Sequence, residues 1–275
     1  MNSFAPDVHL AGTAFDTIAE SYDSLFTESM IGRSQRAAVW RKAQTVFRAG
    51  DRVLELNCGT GTDALFLASL GIAVTACDAS PRMIEQAQKQ KPVEAPRAIV
   101  DFRVLSTERL DELPSDLLFD GAFSNFSGLN CISDLSKTWR LLARRLRPGA
   151  KILICLSTRF CVWEILHYLC KGQFRKAWRR CRGTAKATIG RNSFPVFYPT
   201  LRSLRQSLRP MFRLCSVTGI GVTVPPSYLE SWAHRNPSAL HFCETVDRLI
   251  CEWPGIRVLG DHMLLRLERV EPWGH

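Results

Sequence analysis

Two glycines, Gly59 and Gly61, stand between two acids, Glu55 and Asp63, in the stretch VLELNCGTGTDALFLASLG, residues 53–71. The stretch reads as strand, tight turn and helix. Such a glycine-rich turn brings bare backbone close to a ligand, most often a phosphate at the helix N-terminus. Here no Lys-Ser or Lys-Thr follows the glycines, and two carboxylates flank the turn. Carboxylates repel phosphate, so a different ligand has to fit. Gly59-x-Gly61-x-x-Ala64 satisfies the looser form of the dinucleotide fingerprint, and Asp78 follows about 20 residues on, where a ribose-holding acid belongs. Without a Cβ, Gly59 lets a ligand approach the backbone, and Asp78 can accept from two hydroxyls. Each feature also has a plain reading: the glycines make a tight turn, Asp78 caps a helix, Met83 fills the core. For proton transfer the candidates by position are His262, Asn125 and Tyr228, with His234 and His241 behind them. A lone histidine is more often a hydrogen-bonded structural residue than a catalyst.

The elements around these residues alternate. Segments 12–26 and 32–47 read as two leading helices, with apolar residues at three- and four-residue steps. Strands are expected over 52–57, 72–78, 98–105, 117–125 and 150–157, with helices over 61–70, 80–90 and 135–146 between them. Ser80 as N-cap and Pro81 at the first helical position open the 80–90 helix, and RPG at 147–149 stops the 135–146 helix. This rhythm predicts an α/β fold with a doubly wound, mostly parallel sheet. It then breaks. Residues 158–200 read as a basic helix followed by an irregular or β-rich segment, 201–208 as a crossover helix and 212–224 as a sixth strand. Residues 225–257 hold two short helices, and 260–270 form the closing strand. The expected organisation is therefore a helical cap (1–47), a ligand-binding core (48–157), a basic cap insertion (158–200), and the end of the core (201–275) with a second cap insertion (225–257).

Composition sets the outer limits. A chain of 275 residues, 46% apolar and 23% charged, is that of an ordinary globular protein able to bury a sizeable core. No window reaches the roughly 18 uninterrupted apolar residues of a membrane span, and no basic start followed by an apolar run marks a secretory signal. The ten cysteines form no Cys-x-x-Cys pair and no Cys/His zinc spacing. They read as reduced core thiols, which points to a cytoplasmic protein without structural metal. Charge is uneven. Residues 137–213 hold nineteen Lys or Arg and one acid, Glu164, a balance of +18 in a chain whose total is +10. Such asymmetry points to a partner or surface besides a small-molecule site. The segment 160–183 is apolar and aromatic before it becomes basic, a pattern suited to the anionic inner face of a membrane. An RNA backbone, an anionic small substrate or plain solvent would also suit it.

Several stretches in order resemble the class I S-adenosylmethionine-dependent methyltransferases, and within them the ubiquinone and menaquinone biosynthesis branch (methyltransferase type 11). They are AESYDSLF in the leading helix, LELNCGTGT at the first turn, VTACDASPRMIEQA at the second strand, FDGAFSNFSGLNCISD at the fourth and LRPGAKILI at the fifth. The resemblance covers roughly residues 13–157. It implies a Rossmann-like seven-stranded sheet with an antiparallel last strand and a helical substrate cap, and S-adenosylmethionine as cofactor. It implies cofactor contacts from Tyr22, Glu55, Asn57, Gly59, Gly61, Asp78, Ala79, Met83, Ser106 and Thr107. It also implies transfer of a methyl group to a small organic acceptor, with both insertions and His262 at the rim of the site. Two departures stand out. Asn57 replaces the usual first glycine, which asparagine's tolerance of left-handed backbone accommodates. Leu105-Ser106 replaces a frequent Gly-Asp pair, leaving adenine recognition to Ser106 and Thr107. No Asn-Pro-Pro-Tyr follows the fourth strand, which weighs against the amino-methylating DNA enzymes. An RNA methyltransferase and a non-catalytic cofactor-binding scaffold remain the alternatives.

Overall fold

Arg52–Leu56 (β1), an apolar run interrupted by one acid, is an interior strand of a seven-stranded sheet. A computed structural model describes residues 7–90 and 100–270. Residues 98 and 99 of the expected third strand lie outside them, as do the chain's first six and last five residues. On one side of β1 lie β2 (Ala73–Asp78) and β3 (Val100–Val104), on the other β4 (Phe119–Ser124) and β5 (Leu146–Ser157), all parallel. A separate hairpin, β6 (Thr184–Ile189) and β7 (Asn192–Phe197), belongs to the basic insertion. The sheet ends with β8 (Phe212–Ile220) and β9 (His262–Arg269), in the order β3-β2-β1-β4-β5-β9-β8, and β9 is antiparallel to both neighbours. The expected doubly wound sheet with an antiparallel closing strand is the observed one.

Helices cover both faces. α1 (Asp7–Asp16) and α2 (Met30–Val46) lead the chain, and α3 (Thr62–Ser69), α4 (Pro81–Gln90) and α5 (Leu135–Arg145) alternate with the strands. α6 (Val162–Cys170) and α7 (Phe174–Ala177) follow β5; α8 (Leu201–Leu208) precedes β8; α9 (Glu230–Arg235) and α10 (Pro237–Ile250) precede β9. Because side chains alternate along a strand, Leu54 and Leu56 join a cluster with Trp139, Leu142, Leu204 and Leu208. Val53 joins the opposite cluster with Val39, Ala43, Ala64 and Leu67, and Glu55 projects to that same face.

Four boundaries differ from expectation. The leading helix runs from Asp7 only to Asp16, and Asp23–Thr27 forms a separate π-turn. The break has a tertiary reason: the Asp16 carboxylate accepts from the Ser80 hydroxyl and the Arg82 N–H (3.2 Å), at the start of α4. β5 begins at Leu146, before the proline and glycine, because Leu146 pairs with Phe119 across a bulge. The β-rich half of the basic insertion is the β6–β7 hairpin. β8 stops at Ile220 rather than 224.

The second insertion lies elsewhere than expected. The Glu230 carboxylate of α9 accepts from the Met30 and Ile31 N–H groups at 2.6 and 3.1 Å, capping the N-terminus of α2. Gln35 Nε2 donates to Pro225 O at 3.2 Å. Segment 225–257 thus packs on α2 and contributes no residue to the cleft at the glycine turn. It buttresses the helix that carries Arg36.

Candidate active site

Three residues of the β1–α3 turn have left-handed backbone: Asn57 (φ 55°), Gly59 (φ 55°) and Gly61 (φ 82°). Asparagine does hold the position usually taken by glycine, and its side chain packs so closely on Gly128 that a Cβ there would collide with it. A Cβ at Gly59 would meet nothing nearer than the Tyr22 ring, at 4.0 Å, so this position opens onto a cleft. At Gly61 a Cβ would come within 2.7 Å of the Phe102 ring. Gly61 is therefore required for packing and does not line the cleft. The Asp78 carboxylate accepts from Gly59 N–H (2.9 Å) with one oxygen and from Ser80 N–H (2.8 Å) with the other. It locks the turn and fixes Ser80, whose hydroxyl caps α4 by accepting from Met83 N–H at 3.0 Å, while still facing the cleft. Burial raises its pKa, and these backbone bonds oppose the rise.

A cleft opens beside this turn, lined from α1, α2, the β1–α3 turn, the end of β2 and the loop after β4. Tyr22, Asn57, Gly59, Asp78, Ala79 and Met83 line it, as the sequence predicts. Glu55, Gly61, Ser106 and Thr107 lie outside its wall. Thr107 acts through Asn57, donating to its Oδ1 at 3.3 Å. Glu55 is buried at the end of β1 with one oxygen unpartnered among the described residues. Burial, helped by the Asp63 carboxylate, raises its pKa well above the ordinary 4.5. From α1 come Ala11, Gly12 and Phe15, which close the cleft over Ala79.

The methionine end expected beside Tyr22 holds a group the sequence reading did not single out. Arg36 of α2 lines the cleft, pairs with Asp63 through Nη1, and lies 4.9 Å above the Phe126 ring. Asp63 also accepts from Trp40 Nε1 (2.6 Å) and Asn125 Nδ2 (3.1 Å). Burial by itself would lower the Arg36 pKa, but Asp63 more than offsets this and holds it above the ordinary value. Its Nε has no partner among the described residues. The sequence carried one signal for it: Gln35 and Arg36 fall on the buried stripe of α2 with Ile31, Val39 and Ala43. Beside Asn125, Phe126 (φ 44°) and Ser127 (φ 70°) are left-handed without being glycine. Such backbone costs about 1–3 kcal/mol per residue and gathers at functional sites.

Of the candidates for proton transfer, only Asn125 reaches the cleft. His262 is buried behind Phe126, edge-on to its ring at 5.5 Å, with Nδ1 3.5 Å from Asp261. Burial keeps its pKa below 6.5, so it stays neutral, against the pull of Asp261. Tyr228 packs on the rings of His167 and Tyr168, away from the cleft. His234 and His241 are exposed beside Glu230 and Glu244. All ten cysteines are free, and Cys131, the thiol nearest the apolar wall, is pushed up to about 12 by burial.

The basic insertion forms a second layer. Phe194 of β7 packs with Ala11, Ala14 and Phe15, and Asn130 Nδ2 donates to Phe197 O at 2.6 Å. Its helical part is tied down by Arg180, which bonds Glu164 and Asp261.

The fold and the cleft together define a class I S-adenosylmethionine-binding α/β protein: parallel strands, an antiparallel last strand, a glycine turn after β1 and an acid at the end of β2. Residues 53–149 match the methyltransferase domain family. The chain is 34% identical over 146 residues to a demethylmenaquinone methyltransferase of Clavibacter sepedonicus, covering 51% of this chain and 55% of that protein. It is 33% identical over 107 residues to an S-adenosyl-L-methionine-dependent Diels-Alderase, iccD, of Talaromyces variabilis, covering 38% and 36%. The chain thus spans about half the length of the curated demethylmenaquinone enzyme. Among solved structures, the [4+2]-cyclase SpnF superposes with a TM-score of 0.63 at 15% identity, over 97% of this chain and 98% of that one; this likeness concerns the fold. Residues 53–149 thus carry a methyltransferase domain whose similarity to the demethylmenaquinone enzymes spans about half of this chain, and S-adenosylmethionine is the cofactor of such a domain.

Proposed function

We propose that the protein transfers a methyl group from S-adenosylmethionine to a small lipophilic acceptor related to demethylmenaquinone. The observation that carries this reading is the opening at Gly59, walled by Tyr22 and floored by the Asp78 carboxylate. Bound there, S-adenosylmethionine would supply an activated methyl group on a sulfonium. Asp78 would accept from the ribose hydroxyls with the lone pairs its two backbone donors leave. Arg36, with Nε unpartnered, would meet the cofactor's carboxylate, and Tyr22 would close over the methionine end. Met83 and Ala79 offer an apolar wall for adenine. Phe15, Phe126 and Ile132 supply an apolar surface for the acceptor. Holding acceptor and cofactor in line accounts for up to roughly 7–11 kcal/mol of barrier lowering, and the wall carries no histidine among the described residues.

That last feature, with the similarity to iccD, supports a second reading in which the cofactor is bound and a cyclisation is catalysed without methyl transfer. Calorimetric titration with S-adenosylmethionine, followed by incubation with reduced demethylmenaquinone and with lipid extracts, separates the two. Micromolar binding and S-adenosylhomocysteine formed in step with a methylated lipid is the expected result. Tight binding with no S-adenosylhomocysteine from any acceptor favours the second reading. Absence of binding overturns both.

A further inference from the structure

The outer face of the basic insertion has a pattern that methyl transfer does not use. Val162, Leu166, Cys170, Phe174 and Trp178 recur every four residues through α6 and α7, and all are exposed. Leu166 is 53% exposed, Phe174 65% and Trp178 48%, while Glu164, Ala177 and Arg180 on the inner side are buried. A contiguous row of large apolar side chains left in water marks an interaction surface. Lys171, Arg175, Lys176 and Arg182 are interleaved with them and exposed, and among the described residues none pairs with a carboxylate. The one acid of the segment, Glu164, is turned inwards, 2.7 Å from Arg179 and 2.8 Å from Arg180. An ordinary solvated face interleaves both signs of charge. This one presents a single sign beside an apolar row.

We infer that the α6–α7 face docks on an anionic lipid surface, an inference that deepens the lipophilic-acceptor reading and rests on it. Aromatic and aliphatic side chains enter the boundary between headgroups and acyl chains, while the cations meet lipid phosphates. A nucleic acid would use the cations and the rings, but it gives Val162 and Leu166 nothing to bury against. The rear of the same insertion is fixed to the cleft's surroundings: Arg180 bonds Asp261 beside His262, and Phe194 packs on α1.

The test is cosedimentation of the full chain with vesicles of phosphatidylcholine alone and of phosphatidylcholine mixed with phosphatidylglycerol, with cofactor titration on the same samples. Binding to the mixed vesicles that weakens with salt is expected. The Phe174→Ser/Trp178→Ser pair should lower the partition coefficient by about tenfold or more. The Lys171→Gln/Arg175→Gln/Lys176→Gln set should lower it by about fivefold per charge. Neither should change cofactor affinity. Three results would overturn the docking surface: no binding to the mixed vesicles, equal and salt-insensitive binding to both kinds, or binding that neither variant weakens. Salt-sensitive binding of single-stranded RNA through the same cations, without vesicle binding, would assign the face to nucleic acid instead. Wild-type protein that binds vesicles but no cofactor leaves the surface standing and removes the methyl-transfer reading.

Discussion

Two buried arginines, Arg36 at the cleft and Arg180 in the basic insertion, are held in opposite ways. Arg180 uses all three nitrogens: Nε on Glu164, Nη1 on Asp261 O, and Nη2 on both carboxylates, with Tyr198 under its plane at 5.4 Å. Arg36 has one carboxylate partner, a weak contact to Thr27 at 3.5 Å, and an Nε without a bond among the described residues. A saturated buried cation holds structure together. One that lines a cleft with part of its bonding capacity unused is available to a ligand. The difference separates the part of the molecule that is finished by folding from the part that a cofactor completes.

Five substitutions probe that contrast. Arg180→Met takes the guanidinium from buried Asp261 and leaves Glu164 to Arg179 alone, and should cost about 3–5 kcal/mol of stability in urea unfolding, with cofactor affinity of any surviving native protein unchanged. Asp78→Ala should weaken S-adenosylmethionine by about 30-fold or more in calorimetry, since charge-assisted bonds contribute about 1.5–3 kcal/mol each. Arg36→Met should cost less stability, about 1–3 kcal/mol, because Asp63 keeps its Trp40 and Asn125 donors. Its cofactor affinity should nevertheless fall about tenfold. If Arg36→Met unfolds the protein and Arg180→Met spares it, the contrast is wrong.

Gly59→Ala places a side chain on left-handed backbone at the cleft and should lower melting stability by about 1–2 kcal/mol, with weaker cofactor binding. The smallest effect is a pH slope. The folded protein keeps the Glu55 proton to higher pH than the unfolded chain, so this contribution to stability is present at acid pH and is lost as pH rises above 4.5 through the folded value. Glu55→Gln cannot ionise and should show a shallower decline in melting temperature over that range. An unchanged slope would mean that Glu55 is charged in the native state.

Much of the cofactor end was legible from sequence. Gly59 and Asp78 belong to contiguous strand–turn–helix units whose chemistry is local, so spacing alone places them. Arg36 was not legible as a site residue, since its partner Asp63 is 27 residues away in the chain and Asn125, which also bonds Asp63, is 62 residues beyond that. His262 was placed at the rim by position, yet the φ 44° turn at Phe126 sets a ring in front of it. Ser106 and Thr107 were expected at the cleft wall; neither lines it, and Thr107 bonds Asn57 instead.

The sequence by itself determined the alternation of strands and helices, the glycine turn and the acid after β2, because each is written within a few neighbouring residues. It also determined the charge of the basic insertion. Only the tertiary structure decided which cations are spent inside and which remain on the surface, because that depends on where two distant carboxylates, Glu164 and Asp261, meet Arg180. It decided as well that segment 225–257 supports α2 while the β6–β7 hairpin backs the cleft. Those outcomes are set by packing between segments far apart in the chain, which no local pattern encodes.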